Sequence, residues 1–241
     1  MRMTTEEMTR RLPERQRPIG EVLVTGAASG LGAAAADAVY AAGGTPIIVD
    51  VVAPDTDYES IVVDLGDTDA TSAAIRRRAE RGVDAVVTAA GIDVPGPLVD
   101  VDAEVWERIV RVNLFGTVAV IRAALPSLIE RRGRVVTVAS TLGHRGVSDA
   151  TAYCASKFGV VGFTRALTAE LKGLVGVTML TPGGMQTSFF DERDEKYKPG
   201  SDAQLCDPYD VASAIVFALS RPPGCEVKEL VIAGPTETSW P

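Results

Sequence analysis

The run Glu21-Val22-Leu23-Val24-Thr25-Gly26-Ala27-Ala28-Ser29-Gly30-Leu31-Gly32 decides how this chain folds. Its centre, Val22-Leu23-Val24, is apolar without alternation, as in a strand covered on both faces. Three glycines follow at once in the spacing Gly-x3-Gly-x-Gly, and an alanine-rich segment suited to a helix runs on to about Ala42. Glycines at a strand-to-helix turn let the backbone bend sharply and approach a pyrophosphate, which then sits at the positive end of the helix. The spacing departs from the commoner Gly-x-Gly-x-x-Gly, and glycines in such a turn can also serve packing alone.

Beyond this turn, apolar runs and helix-like segments alternate along the chain. Strands are predicted at 21–25, 46–50, 60–64, 83–88, 133–139, 175–180 and 229–233. Helices are expected at about 30–42, 67–81, 102–132, 150–172 and 207–220, with Gly43-Gly44 closing the first and the Asp102 carboxylate capping the third. Continuous Val/Ile runs separated by helices imply right-handed crossovers. The fold class is therefore α/β: a doubly wound, Rossmann-type parallel sheet of about seven strands with helices on both faces. The link after Asp50 has only about ten residues, near the minimum for a parallel crossover, so it has room for a single helical turn or none. Residues 19–241 read as one dinucleotide-binding and catalytic domain. Residues 1–18 carry five arginines and three glutamates without an apolar run, and read as a polar N-terminal arm rather than a secretory signal.

Composition narrows the class. With 46% hydrophobic but only 5% aromatic residues in 241, the core must be built from Val, Ala, Ile and Leu. A net charge of −8 and a pI near 4.8 oppose binding to nucleic acid or to anionic membranes. The sequence has no run of about 18 consecutive apolar residues, the length of a membrane span. Cys154, Cys206 and Cys225 lack zinc-ligand spacing, and an odd number of thiols suits a reduced, cytoplasmic protein.

Two further features carry chemistry. Asp50 ends the second strand eighteen residues after Gly32, where a carboxylate accepts bonds from the adenosine ribose and repels a 2′-phosphate. Val51 and Val52 bring no compensating charge, and Ser29 is not basic, so the expected cofactor is NAD rather than NADP. In Tyr153-Cys154-Ala155-Ser156-Lys157 a helix would place the ammonium on the phenol's face. A phenol's ordinary pKa is roughly 10, and a cation beside it would lower that value, making Tyr153 a usable proton donor and acceptor. The same spacing occurs on ordinary solvated helices, so the pair gains meaning only from what stands upstream.

Thr25-Gly-Ala-Ala-Ser-Gly-Leu-Gly32 together with Tyr153-x3-Lys157 resembles the short-chain dehydrogenase/reductase family in its compact one-domain form, over about residues 19–234. Shorter motifs recur in order: Asp64-Leu65, Ala89-Ala90-Gly91, Asn113, Ser140, and Pro182-Gly183-x3-Thr187. The resemblance implies an NAD-dependent oxidoreductase that interconverts a secondary alcohol and a ketone without a metal. Catalysis would fall to Asn113, Ser140, Tyr153 and Lys157. Ser140 would hold the substrate oxygen and Tyr153 would exchange its proton. Lys157 would lower the phenol pKa and hold the nicotinamide ribose, while Asn113 would anchor a relay water through its backbone and side chain. The cofactor would lie on Gly26, Ser29, Gly30, Leu31 and Gly32, with Asp50 on its ribose. Asp64 and Leu65 would meet the adenine, Ala90 and Gly91 the adenosine ribose, and Pro182, Gly183 and Thr187 the nicotinamide carboxamide. Where the family often has asparagines this chain has Thr88-Ala89-Ala90, which removes a brace between the central strands.

Two other functions remain open. A reductase of 3-oxoacyl thioesters is opposed by Asp50, since reductive synthesis draws on NADPH. A dinucleotide-binding sensor without catalysis would have no need of the four catalytic residues. His144, the single histidine, falls on the loop after Ser140 and reads as a solvated residue bordering the substrate. Cys154 reads as packing. The segment 188–197 takes the family's lid position, with Phe189 and Phe190 either covering an apolar substrate or anchoring the lid. The expected partners are a small alcohol or ketone and copies of the same chain, in a homodimer or homotetramer joined through the helices at about 102–132 and 150–172. The tail 234–241 is expected to pack on a neighbouring copy.

Overall fold

The computed structural model describes residues 16–240. Seven strands form one sheet: β1 (Glu21–Thr25), β2 (Thr45–Asp50), β3 (Glu59–Val62), β4 (Ala85–Thr88), β5 (Arg134–Val138), β6 (Gly176–Pro182) and β7 (Glu229–Ile232). Their order is β3-β2-β1-β4-β5-β6-β7, and every pairing is parallel. The order reverses between β1 and β4, and the crevice beyond the carboxyl ends of strands at such a point is where this architecture takes ligands.

The period of two along each strand splits the core into layers. Val22 and Val24 face α1 (Gly30–Ala41) and α6 (Pro208–Leu219), while Leu23 faces α2 (Thr68–Ala79), α4 (Thr117–Glu130) and α5 (Thr151–Glu170). Ala34, Ala35 and Ala36 are buried on α1, and their small side chains let that helix lie close to the sheet. Most of the expected elements lie within a few residues of where the sequence puts them. The link from β2 to β3, residues 51–58, holds no helix, in keeping with its length.

Three expectations need correction or limits. The Asp102 carboxylate caps nothing: it is exposed, and only its carbonyl takes part, accepting from the Trp106 amide at 2.9 Å. Asp67 and Asp207 do cap, accepting from Ala70 at 2.9 Å and Tyr209 at 2.8 Å. The single long helix over 102–132 is interrupted: α3 (Ala103–Val110) passes through a π-helical turn, Arg111–Gly116, into α4. The polar arm falls mostly outside the described residues. From Gln16 onward the chain is tied down, the Arg17 amide donating to Ser220 at 3.0 Å.

The stretch Ala103–Glu130 has the length and mean hydropathy of a membrane span over an 18-residue window, yet 56% of that window is buried inside the domain. Its apolar face is used by the core.

Candidate active site

The glycine turn is built by close contacts that only glycine permits. Gly26 has φ 67°, and a Cβ on it would stand 2.6 Å from the Ala90 Cα at the exit of β4. A Cβ on Gly32 would fall 2.1 Å from the Gly26 carbonyl oxygen. These approaches press the first turn of α1 against the switch point and leave its amides facing the crevice. Asp50 is fastened over the same turn, one oxygen accepting from Ala28 at 2.9 Å and the other from Val51 at 2.7 Å. The Ala90 amide donates to Thr25 Oγ1 at 3.1 Å, which joins the ends of β1 and β4. Thr88, where an asparagine brace was expected to be missing, has its hydroxyl buried without a partner.

Asp64 sits just past β3 with its carboxylate engaged. It accepts from the Gly66 amide at 2.8 Å and from Arg108 of α3 at 3.1 Å. Burial pushes its carboxyl upward, but these two donors outweigh it and hold the group below its ordinary range. Its expected adenine contact therefore shares the carboxylate with Arg108.

On α5, Tyr153 and Lys157 stand on one face as the spacing predicts, with the Lys157 Nζ 5.7 Å from the phenol ring centre. The effect of the lysine differs from the expectation. Burial pushes the phenol up to about 12, against which the Ser140 hydroxyl favours the phenolate. The Lys157 ammonium, 5.7 Å from the ring centre, donates to the Val138 carbonyl at 2.9 Å. Burial also brings Lys157 itself down to about 8. Desolvation, which disfavours both charged forms, wins over the pairing of charges in this structure. Ser140 stands two residues past β5, 8% exposed, and its hydroxyl accepts from the Leu142 amide at 3.1 Å.

Asn113 lies in the π-turn and is fully buried. Its Oδ1 accepts from the Ile92 amide at 2.8 Å, and its Nδ2 donates to the Ile92 carbonyl at 2.9 Å and to Ser156 at 3.0 Å. The side chain thus braces the loop after β4 against α5, and its Oδ1 keeps one acceptor position beyond the Ile92 amide. Its carbonyl accepts from the Thr117 hydroxyl at 2.9 Å. Asn113 Oδ1 and Lys157 Nζ both stand 3.6 Å from where a Gly91 Cβ would be, so Gly91 keeps the space beside them open.

The lid folds over this group. Thr187 lies 3.5 Å from the position of a Gly30 Cβ, bringing the segment after β6 onto the glycine turn. Its hydroxyl accepts from the Phe189 amide and starts a short 3-10 turn, Ser188–Phe190. The Phe189 ring packs 5.8 Å from the Tyr153 ring and 5.4 Å from Phe190. The Arg193 guanidinium lies 4.7 Å from both phenylalanine rings and pairs with Asp93 at 2.8 Å. Sequence reasoning passed over Asp93 and Arg193, although Asp93 stands only two residues past Gly91, at the ligand-facing end of the sheet.

The tail closes another side. The Gly184 amide donates to Glu237 at 3.0 Å, the Ser239 hydroxyl meets Thr141 at 2.7 Å, and Arg145 donates to the Thr238 carbonyl at 2.6 Å. Residues 234–240 are therefore tied to their own chain. His144 is not simply solvated either. Its Nε2 lies 3.3 Å from Thr181 Oγ1 and its ring meets Trp240 edge-on at 5.2 Å, and burial lowers its pKa. Cys154 is buried as packing, and all three thiols are free.

Residues 21–198 match a family model described as short chain dehydrogenase. An uncharacterized oxidoreductase of Staphylococcus aureus strain MW2 is 30% identical over 226 residues, covering 87% of this chain and 95% of its own length. Among solved structures, the ligand-free aldohexose dehydrogenase of Thermoplasma acidophilum is 26% identical with a TM-score of 0.81, over 89% of this chain and 92% of that one. A chain described as ribose-5-phosphate isomerase from Brucella melitensis gives 26% and 0.80, over 88% and 90%. Likeness of fold alone therefore does not fix the reaction.

Proposed function

Because the chain belongs to the short chain dehydrogenase family, we propose that it interconverts a secondary alcohol and a ketone with NAD, Tyr153 exchanging the proton. The observation that carries this reading is the meeting of Tyr153, Ser140 and Lys157 in one buried group beside the glycine turn. The turn fits a dinucleotide: without side chains at Gly26 and Gly32 it closes tightly against Ala90 and on itself, which opens the helix beside the crevice, and Asp50 is fastened over it. When bound, the nicotinamide supplies the hydride donor for reduction or the acceptor for oxidation.

The chain's own residues supply the rest. Held near 12, the phenol keeps its proton at neutral pH and so begins as donor to a ketone oxygen. Ser140 beside it stabilises the phenolate that remains. Lys157, near 8, stays charged at neutral pH and has two donors beyond its bond to Val138 for ribose hydroxyls. Asp50 favours NAD over NADP by repelling the 2′-phosphate.

The same reading makes the protein cytoplasmic, and pairs it with copies of itself through α3–α4 and α5, where Phe115 and Phe158 stand 50% and 46% exposed. Tyr153→Phe tests the chemistry. Turnover should fall by a factor of about a thousand or more while NAD binding, followed by fluorescence, stays within about twofold. A variant that still turns over at the wild-type rate would remove Tyr153 from the reaction.

A further inference from the structure

Beyond the bond from the Ala139 amide to the Leu180 carbonyl, at 2.8 Å, no backbone hydrogen bond among the described residues joins the turn after β5 to the loop after β6. Ser140 stands in that turn, and Gly183 and Gly184 in that loop, so the gap between them opens at the ligand-facing end of the sheet. The width of the gap is left to other contacts. His144 and Thr181, 3.3 Å apart, meet at its root. Residues 234–240 cross it farther out.

Glu237 holds the β6 side. Its Oε2 accepts from the Gly184 amide at 3.0 Å and would stand 2.7 Å from a Cβ on Gly183. Its Oε1 takes the Ser239 amide at 3.0 Å and the Ser239 hydroxyl at 2.7 Å. The Ser239 oxygen also lies 2.7 Å from Thr141 Oγ1, on the β5 side. Counting donors fixes the direction of these bonds. Burial pushes the Glu237 carboxyl up, but the Ser239 hydroxyl and the Gly184, Ser239 and Thr238 amides outweigh it, so the group is ionised and only accepts. The one proton of Ser239 therefore goes to Glu237, and Thr141 must give its own proton to Ser239. Thr141 is 3% exposed, so this bond satisfies a buried hydroxyl. One directed run thus leads from Thr141 through Ser239 to Glu237, which Gly184 meets from the other side. Arg145 pins the same segment again, donating to the Thr238 carbonyl at 2.6 Å. The turn that bears Thr141 is itself pressed on α5: a Cβ on Gly143 would stand 2.9 Å from the Lys157 carbonyl oxygen.

We propose that Thr141, Ser239 and Glu237 are positioning residues for hydride transfer, forming a strap that sets the distance between the substrate oxygen at Ser140 and the nicotinamide at Gly183 and Gly184. This rests on the dehydrogenase reading above. In reduction the hydride leaves the reduced nicotinamide for the carbonyl carbon, and the Tyr153 proton goes to the oxygen. The strap exchanges neither and fixes only the gap that the hydride crosses.

The test compares wild type with Ser239→Ala, Thr141→Val, the two combined, and Ser239→Thr, which keeps the hydroxyl. Three quantities are read: the affinity for NADH, the emission of bound NADH at saturation, and the rate at which bound NADH is oxidised in a single turnover by cyclohexanone, acetophenone or ethyl acetoacetate. Wild type should move the NADH emission to shorter wavelength. Each loss of a hydroxyl should slow the single turnover by about tenfold or more and return the emission toward that of free NADH, while affinity stays within about twofold. The combined variant should be no slower than the worse single one, since both remove the same bond. Ser239→Thr should stay within about threefold of wild type. An unchanged rate and emission in Ser239→Ala, additive losses in the combined variant, or an affinity that falls in step with the rate overturns the proposal. Ser239→Ala and Ser239→Thr decide alone if Thr141→Val does not fold. An emission that responds to Ser239→Ala with no ketone reduced by wild type would sink the dehydrogenase reading and leave the strap. Turnover that ignores all the variants would do the opposite, and a protein that binds no NADH would end both.

Discussion

Glu237 accepts the amide proton of Gly184 at 3.0 Å, and also the Ser239 amide at 3.0 Å and hydroxyl at 2.7 Å. Burial pushes this carboxyl up, but the Ser239 hydroxyl and the Gly184, Ser239 and Thr238 amides outweigh it, so its pKa lies below the ordinary 4.5. A lowered folded pKa means that the unfolded chain takes up the proton first as pH falls. The stability Glu237 supplies is therefore complete above about pH 4.5 and fades as pH drops through its folded value. Glu237→Gln should cost about 1 kcal/mol at pH 7 and flatten the acid limb of the melting curve. An unchanged acid limb would show that the clasp contributes nothing.

Lys157 gives a slope of the same sign in a higher pH window. The unfolded chain holds this proton to about 10.5, the folded one only to about 8. Between those values the unfolded state binds more protons, so stability climbs with pH. Tyr153, raised from 10.0 to about 12, works against the climb only above pH 10. Comparing melting temperatures from pH 7.5 to 9.5, Lys157→Met should lose a rise that wild type shows. Parallel curves would place Lys157 in a better solvated site than the one described.

Phe189 covers the phenol, and burial is the main cause of the raised Tyr153 pKa. Phe189→Ala should admit water and bring that ionisation down from about 12 toward 10.0, read by difference absorbance against Tyr153→Phe. A phenol still titrating near 12 would mean that other walls bury it.

Asn113 separates bracing from relay. Asn113→Ala leaves the part-buried amide and carbonyl of Ile92 without this partner, while the Ser156 hydroxyl keeps its bond to the Tyr153 carbonyl. Lost bonds at part-buried groups cost about 1 kcal/mol each, so urea unfolding should show a loss of about 1–3 kcal/mol. A loss under about 0.5 kcal/mol with activity gone would restore the relay role for the side chain.

Asp50 bears on the cofactor. Wild type should use NAD with at least about tenfold higher kcat/KM than NADP, on the order of 1.4 kcal/mol. Asp50→Ser should narrow that ratio and weaken NAD as well, because Asp50 also holds the Ala28 amide. Equal use of the two cofactors by wild type contradicts the assignment.

What the sequence disclosed and what it hid follow a physical division. The glycine turn, Asp50 and the Tyr153–Lys157 pair are local: their meaning depends on spacing within one strand, turn or helix. Asp93 and Arg193 are a hundred positions apart and meet only because the segment after β6 folds back over the exit of β4. The bracing bonds of Asn113 to Ile92 and Ser156 join segments far apart in sequence, so spacing alone did not disclose them. Lys157 was placed correctly, yet its effect on the phenol depends on desolvation, which no spacing reveals.

The π-turn at Arg111–Gly116 makes length itself an adjustable quantity in this protein. A π-turn absorbs one residue more than a regular helical path within a single wide turn, so removing one residue there would leave a continuous α-helix with α3 and α4 in their present phase. Trp106 would keep Thr151 and Arg108 would keep Asp64. The same deletion inside α3 or α4 would turn everything beyond it by about 100° around the axis. A change of length at the turn is a local event, whereas one in the regular helix on either side re-aims a whole wall of the cofactor crevice.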